Sequence, residues 1–202
     1  MLIPAESLKA EAAYRLLVGC VVPRPIAWVT SLSDNNLVNA APFSAFTFVS
    51  NKPPMVGVSI GRKSGILKDT ARNISRRKEF VVNIGNIDSI DQLHMSAQEY
   101  ANDVSETEEL KIEVTKSERI ETPRVAHAPV SLECRLHRII EFGDMVSGFY
   151  VGEVVMFHVR DELLKDGKID TRELRPICRL GGPHYATLGE IITKPAIHVT
   201  SK

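Results

Sequence analysis

The alternation that begins at Val130 constrains this chain more than any other feature. Val130, Leu132, Cys134 and Leu136 interleave with Ser131, Glu133, Arg135 and His137. A period of two puts one apolar and one polar face on a strand and cannot form a helical stripe. Phe149–Val159 is a second long β-branched stretch, so the spacing predicts two long strands. Shorter strand signals occur at Pro25–Ser33, which runs into the turn Asp34-Asn35-Asn36, at Met55–Ile60 after Pro53-Pro54, and at Glu79–Ile84.

Helical spacing is local. After Ser64-Gly65, the residues Ile66, Leu67, Thr70, Ala71 and Ile74 recur as on one helix face, with Ser64 placed to cap the first amides. Ser89–Ala101 predicts a second helix, leading into the acidic segment Asp103–Glu109, which reads as a solvated loop. Lys165-Asp166-Gly167-Lys168 predicts a turn, and Gly181-Gly182-Pro183 predicts irregular chain near the end. Strands outnumber helices and do not alternate with them regularly. The expectation is a mainly β fold with flanking helices, an antiparallel sheet or barrel rather than a doubly wound one, with residues 1–202 as a single domain.

Composition narrows the function. The chain has 202 residues, with 25 Lys plus Arg against 25 Asp plus Glu, so formal net charge is zero. Nothing global draws it to nucleic acid or to an anionic membrane. Its apolar runs fall well short of the roughly 20 residues that span a bilayer, and the first 25 residues lack the pattern of an export signal. The cytosol is the expected compartment. Cys20, Cys134 and Cys178 are scattered, and the six histidines match no metal-ligand spacing, so no metal is expected. Neither a Gly-x-Gly-x-x-Gly turn nor a P-loop is present, Gly57 and Gly61 being wrongly spaced.

The segment from Pro23 to Asn83 carries most of the chemistry. Thr30-Ser31, Asn39-Ala40-Ala41-Pro42, Ser44 and Thr47 are small hydroxyl, amide and apolar residues that let a flat ligand approach the backbone. Arg62, Lys63, Ser64, Lys68 and Thr70 cluster at the expected helix start, where free amides and cations hold phosphate. On these residues alone, a capped helix with solvated lysines describes the cluster equally well. Trp28, the sole tryptophan, shares a strand face with Ile26 and Thr30, opposite Ala27, Val29 and Ser31, and either fills the core or packs on a ligand.

Taken in order, PRPIAWVTSLSDNNLVNAAPFSAFTFVSNKPPMVGVSI, KDTARNI, EFVVNI, TPRVAHAPVSLECRL, GEVV and RLGGPHYATL resemble the flavin reductase-like, FMN-binding split-barrel family over roughly residues 15 to 190. The elements Arg24-Pro25-Ile26 and Lys68-Asp69-Thr70 with Asn73-Ile74 are nearest its flavoredoxin-like branch. The resemblance implies a six-stranded antiparallel Greek-key barrel, usually a homodimer, with one FMN per subunit and NADH or NADPH as electron donor. It implies that Thr30, Ser31, Asn39, Ala40, Ala41, Pro42, Ser44, Ala45 and Phe46 surround flavin, with Arg62, Lys68 and Thr70 toward the phosphate. No protein acid or base is required, because hydride transfer to a flavin needs alignment more than proton transfer. The implied role is to supply reduced flavin or electrons to a partner, typically a flavin-dependent monooxygenase. Many reductases of the family carry Gly-Asp-His between the two long strands, whereas this chain reads Gly143-Asp144-Met145. That departure keeps open an alternative role, an FMN electron carrier with little nicotinamide activity.

Overall fold

In the computed structural model, which describes residues 1–101 and 104–195, seven strands form one antiparallel sheet. They are β1 (Ala27–Leu32), β2 (Val38–Phe43), β3 (Phe46–Asn51), β4 (Pro54–Ile60), β5 (Glu79–Ile84), β6 (Val130–Phe142) and β7 (Ser147–Val159). Their spatial order is β2-β1-β5-β6-β7-β4-β3. The edge strands β2 and β3 are consecutive in the chain and separated only by Ser44-Ala45. The three Cα–Cα steps from Phe43 to Phe46 span at most about 11 Å, so the sheet must curl until its edges nearly meet.

The expected count of six strands is thereby corrected to seven. Val38–Asn51 turns the corner from one edge to the other, and its interruption at Ser44-Ala45 divides one bent strand into two. No ladder joins β2 to β3 among the described residues, which leaves the barrel split along that line. Pro42 lies in edge strand β2, opposite Trp28. An edge is where a residue without an N–H is tolerated.

β1 is buried on both faces. Ala27 and Val29 join the barrel core with Val58, Ile60, Phe80 and Val82, whereas Ile26 and Trp28 join a second core with Leu93, Ile112, Val125 and Ile177. Trp28 is fully buried and its Nε1 donates to Ser96 Oγ at 3.0 Å, so it is a core residue. Gly57 in β4 makes room for Phe149: a Cβ there would sit 2.1 Å from the ring's Cζ.

The helices differ from the sequence expectation. Ser64 does not cap a helix. With φ of 47° and 79°, Ser64 and Gly65 form the left-handed turn of a small hairpin pairing Arg62–Lys63 with Ile66–Leu67. α2 (Asp69–Arg77) begins only after it and packs Ala71 and Ile74 into the barrel core. α1 (Ala10–Cys20), which the sequence reading omits, buries none of its residues. The second expected helix is shorter, α3 (Ile90–Met95). The acidic segment contains α4 (Glu106–Glu109), with Glu106 and Thr107 buried, so it is not a solvated loop; Asp103 lies outside the described residues. A last short helix, α5 (Thr171–Leu174), precedes the C-terminal strands. No helix of the described residues is long and apolar enough to cross a membrane.

Candidate functional site

A cleft of about 590 Å³ opens beside edge strand β2, within the range of small-molecule and cofactor sites. Asn39, Ala41, Pro42 and Phe43 of β2 form its floor. One wall is the hairpin from Lys63 to Leu67 and the first turn of α2, and the other is the loop Ser96–Tyr100 after α3. Glu106 of α4 closes the inner end.

The start of α2 gives the cleft its polarity. Its N-cap position is Lys68, whose side chain makes no capping bond, so the first-turn amides keep unused donors and the positive end of the helix dipole. Lys68 Nζ lies 5.9 Å from the centroid of the Phe43 ring, a cation–π contact that steadies the ammonium above the floor. Arg72, one turn later, pairs with Asp69, and Lys63 pairs with Glu99 across the cleft. Among the described residues, Lys68 has no carboxylate partner.

Beneath the floor runs a buried polar network. Asn73 Nδ2 donates to Ser31 Oγ at 3.2 Å, and Ser31 Oγ donates to Asn39 Oδ1 at 3.3 Å. Thr70 Oγ1 donates to the same Asn39 oxygen at 2.7 Å, while Asn39 Nδ2 donates to Glu106 Oε1 at 2.5 Å. Glu106 Oε2 accepts from the Ala40 amide at 3.3 Å. These bonds fix the floor of the cleft from below, since each buried polar atom would otherwise be stranded away from water. Burial pushes the Glu106 carboxyl above its ordinary value, with the bonds from Ala40 and Asn39 opposing and the nearby Asp69 charge reinforcing the rise.

The structure brings Asn39, Ala41, Pro42, Lys68 and Thr70 together at the cleft. The Thr70 hydroxyl is committed to Asn39, so Thr70 offers the cleft its backbone amide more readily than its side chain. Thr30, Ser31 and Ala40 are fully buried beneath it. Thr30 Oγ1 donates to the Pro123 carbonyl at 2.7 Å. Ser44 Oγ accepts from Arg24 Nε at 3.2 Å, Ala45 is exposed, and Phe46 lines a separate apolar groove with Phe48 and Phe157. Arg62 reaches the β6–β7 hairpin instead, donating from Nε to the Val146 carbonyl at 3.1 Å and pairing with Glu141 at 3.0 Å.

Sequence reasoning missed Arg72, Glu106 and the loop Ser96–Tyr100. Arg72 stands four residues after Lys68, a spacing that places both on one helix face, and this signal was readable. Glu106 reaches Asn39 across 67 positions of sequence, and no local pattern announces such a contact.

Donors for an anion at one end, small residues along the floor and a buried network beneath suit a flat molecule with a phosphate tail. Comparisons with known proteins place the chain in a family. The family model described as a flavin reductase like domain matches residues 18–175. An uncharacterized protein of Halalkalibacterium halodurans is 39% identical over 195 residues, covering 94% of this chain and 93% of that protein. The crystal structure of nitrilotriacetate monooxygenase component B from Bacillus cereus superposes with a TM-score of 0.93 at 36% identity, covering 96% of this chain and 98% of that one. That of 2-nitrobenzoate 2-nitroreductase from Pseudomonas fluorescens gives 0.84 at 33% identity, over 97% and 96% of the two chains. This chain belongs to the flavin reductase-like family.

Proposed function

We propose that the chain, acting as a single flavin-binding domain over residues 1–202, holds FMN in this cleft and reduces it with NADH or NADPH. The reduced flavin or its electrons then pass to a partner oxygenase. The observation that carries this reading is the uncapped start of α2 beside an unpaired Lys68 at one end of a 590 Å³ cleft, a place for the phosphate. Arg72 and Lys63 extend the same positive edge. Ala41, Pro42 and Ala97 present little bulk toward the ring system, and the bonds from Ala40 and Asn39 to Glu106 hold the floor still beneath it. FMN bound there would supply the hydride acceptor, so the residues' work is to orient it and to exclude water. The similarity to a monooxygenase component B supports a partner of the oxygenase class.

The site also fits a paired molecule. Phe48 on edge strand β3, Phe142 and Met145 on the β6–β7 hairpin and Leu17 on α1 are all exposed. A homodimer, which the family resemblance implies, would have these apolar side chains available to cover. A second reading, an FMN electron carrier with little nicotinamide activity, is favoured by Met145 at the hairpin tip, where the family resemblance implies a histidine.

The test is anaerobic absorbance of FMN-loaded, desalted protein on addition of NADH and then NADPH. Rapid bleaching supports the reductase and names its donor. Bleaching by dithionite alone supports the carrier, and a protein that neither retains nor binds FMN refutes both.

A further inference from the structure

Six charged side chains line the cleft, three cations (Lys63, Lys68 and Arg72) and three carboxylates (Asp69, Glu99 and Glu106). With all of them ionised, a cleft read as an anion site carries no net charge. Two of the carboxylates are already neutralised locally, Asp69 by Arg72 and Glu99 by Lys63. Glu106 stands apart. It is 6% exposed, and its hydrogen-bond partners are the neutral Asn39 amide and the Ala40 N–H. Among the described residues it has no cationic partner. Two hydrogen bonds favour the ionised form of this carboxyl and burial opposes it, a balance that one further negative charge shifts toward the proton.

We propose that Glu106 takes up a proton when a phosphoester anion enters the cleft, so that occupancy by a ligand such as FMN is coupled to pH through this carboxyl. The inference rests on the reading of the cleft as the flavin site. The groups facing Glu106 define the balance. Asp69 on α2 repels it. Tyr100, which lines the same cleft, has its phenol raised by burial and by the charges of Glu109 and Glu106. Lys68 lies across the cleft with no carboxylate of its own, and the Lys63–Glu99 and Arg72–Asp69 pairs are internally neutral. An incoming anion therefore meets Lys68 as attraction and Glu106 as repulsion. Protonating Glu106 removes the repulsion and leaves the cleft with one net positive charge.

The sign follows from linkage. The anion raises the carboxyl's affinity for a proton, so between its free and bound titration ranges a proton is taken up on binding, and binding tightens as pH falls. One coupled proton limits the steepness to about tenfold in Kd per pH unit. In Glu106→Gln, Asn39 Nδ2 would donate to the new side-chain carbonyl as it does to the carboxylate, while the amide nitrogen cannot accept from the Ala40 N–H, so the substitution removes the charge and one of its two bonds.

The experiment is isothermal titration of the full chain with FMN in two buffers of different ionisation enthalpy, from about pH 8 to about pH 6. Wild type, Glu106→Gln and the exposed-site control Glu108→Gln are compared, each checked for folding by thermal unfolding. The phosphate of FMN contributes its own titration equally to all three. Wild type and Glu108→Gln are expected to take up a fraction of a proton more than Glu106→Gln, and to tighten several-fold more on acidification. Equal proton uptake and equal pH slopes in wild type and Glu106→Gln would overturn the inference while leaving the flavin site standing. If Glu106→Gln does not fold, wild type alone still decides, by comparison with a titration of inorganic phosphate in the same buffers. Uptake exceeding that of the phosphate's own ionisation supports the coupling, and uptake no larger than it rejects the coupling. Absence of FMN binding in wild type overturns both the inference and the site.

Discussion

Replacing Asn83 by alanine should cost far more stability than its size suggests. The side chain is fully buried in β5 and serves three separate elements. Its Nδ2 donates to the Trp28 carbonyl in β1 at 2.9 Å. Its Oδ1 accepts from the Val125 amide at 3.0 Å and from Ser131 Oγ in β6 at 2.9 Å. Trp28, Val125 and Ser131 are all fully buried, so water does not replace the lost partner without opening the structure. The Ser131 hydroxyl rotates in search of another acceptor, but the Val125 amide and the Trp28 carbonyl are fixed. Two stranded backbone groups at about 1–3 kcal/mol each give a destabilisation of about 2–6 kcal/mol. For a chain of this length that lowers the melting temperature by at least about 4 °C. Ser131→Ala removes a single donor and leaves Asn83 bonded to Val125, so it should cost only about 1 kcal/mol. Urea unfolding of the two variants separates the cases. A loss below about 1 kcal/mol for Asn83→Ala, or equal losses for the two, would refute the reasoning that this amide joins the sheet to the Val125 segment.

Glu133 carries a pH dependence whose sign is fixed. Burial alone would raise its carboxyl, but the amides of Glu118 and Arg119, each at 2.7 Å, and the ring of His158 hold it below its ordinary value. A depressed carboxyl stabilises the fold above its unfolded value and loses that contribution as pH falls through the folded one. Thermal unfolding should therefore show a loss of stability on acidification below about pH 4, a loss much reduced in Glu133→Gln. Gly57→Ala places a methyl within contact distance of the Phe149 ring and should destabilise by about 1–3 kcal/mol. Phe149→Ala in the same chain should make that substitution nearly neutral, and additivity of the two in denaturant unfolding would contradict the close approach.

The long strands were legible because their pattern is local. Val130–Leu136 alternates so that even positions enter the barrel core, and Val130, Leu132 and Cys134 do so. The misreadings have tertiary causes. Ile66 and Leu67 carry helical spacing with Thr70 and Ala71, yet the two left-handed residues Ser64 and Gly65 turn the chain back, and Ile66 and Leu67 pair with Lys63 and Arg62. The β2 sequence, with Asn39, two alanines and Pro42, has little strand propensity. It is held as a strand by pairing with β1 and by Glu106, which accepts from Ala40. α1 escaped notice because it has no buried face to write a periodicity into the sequence. At the cleft, Asn39, Lys68 and Thr70 were readable from type and order, whereas Glu106 looked like one of several solvated acids. Its burial follows from where α4 docks, which only the fold decides.

The flavin site itself is tested most directly by titrating FMN into wild type and Lys68→Ala side by side, following flavin fluorescence. Lys68 is exposed and bonded to no carboxylate among the described residues, so its loss should leave the fold intact. If the ammonium meets the phosphate, Lys68→Ala should weaken binding by about 1–3 kcal/mol, roughly 5- to 150-fold in Kd. Riboflavin, which lacks the phosphate, should bind both proteins alike. Equal FMN affinity in the two proteins would contradict the placement of the phosphate at the start of α2.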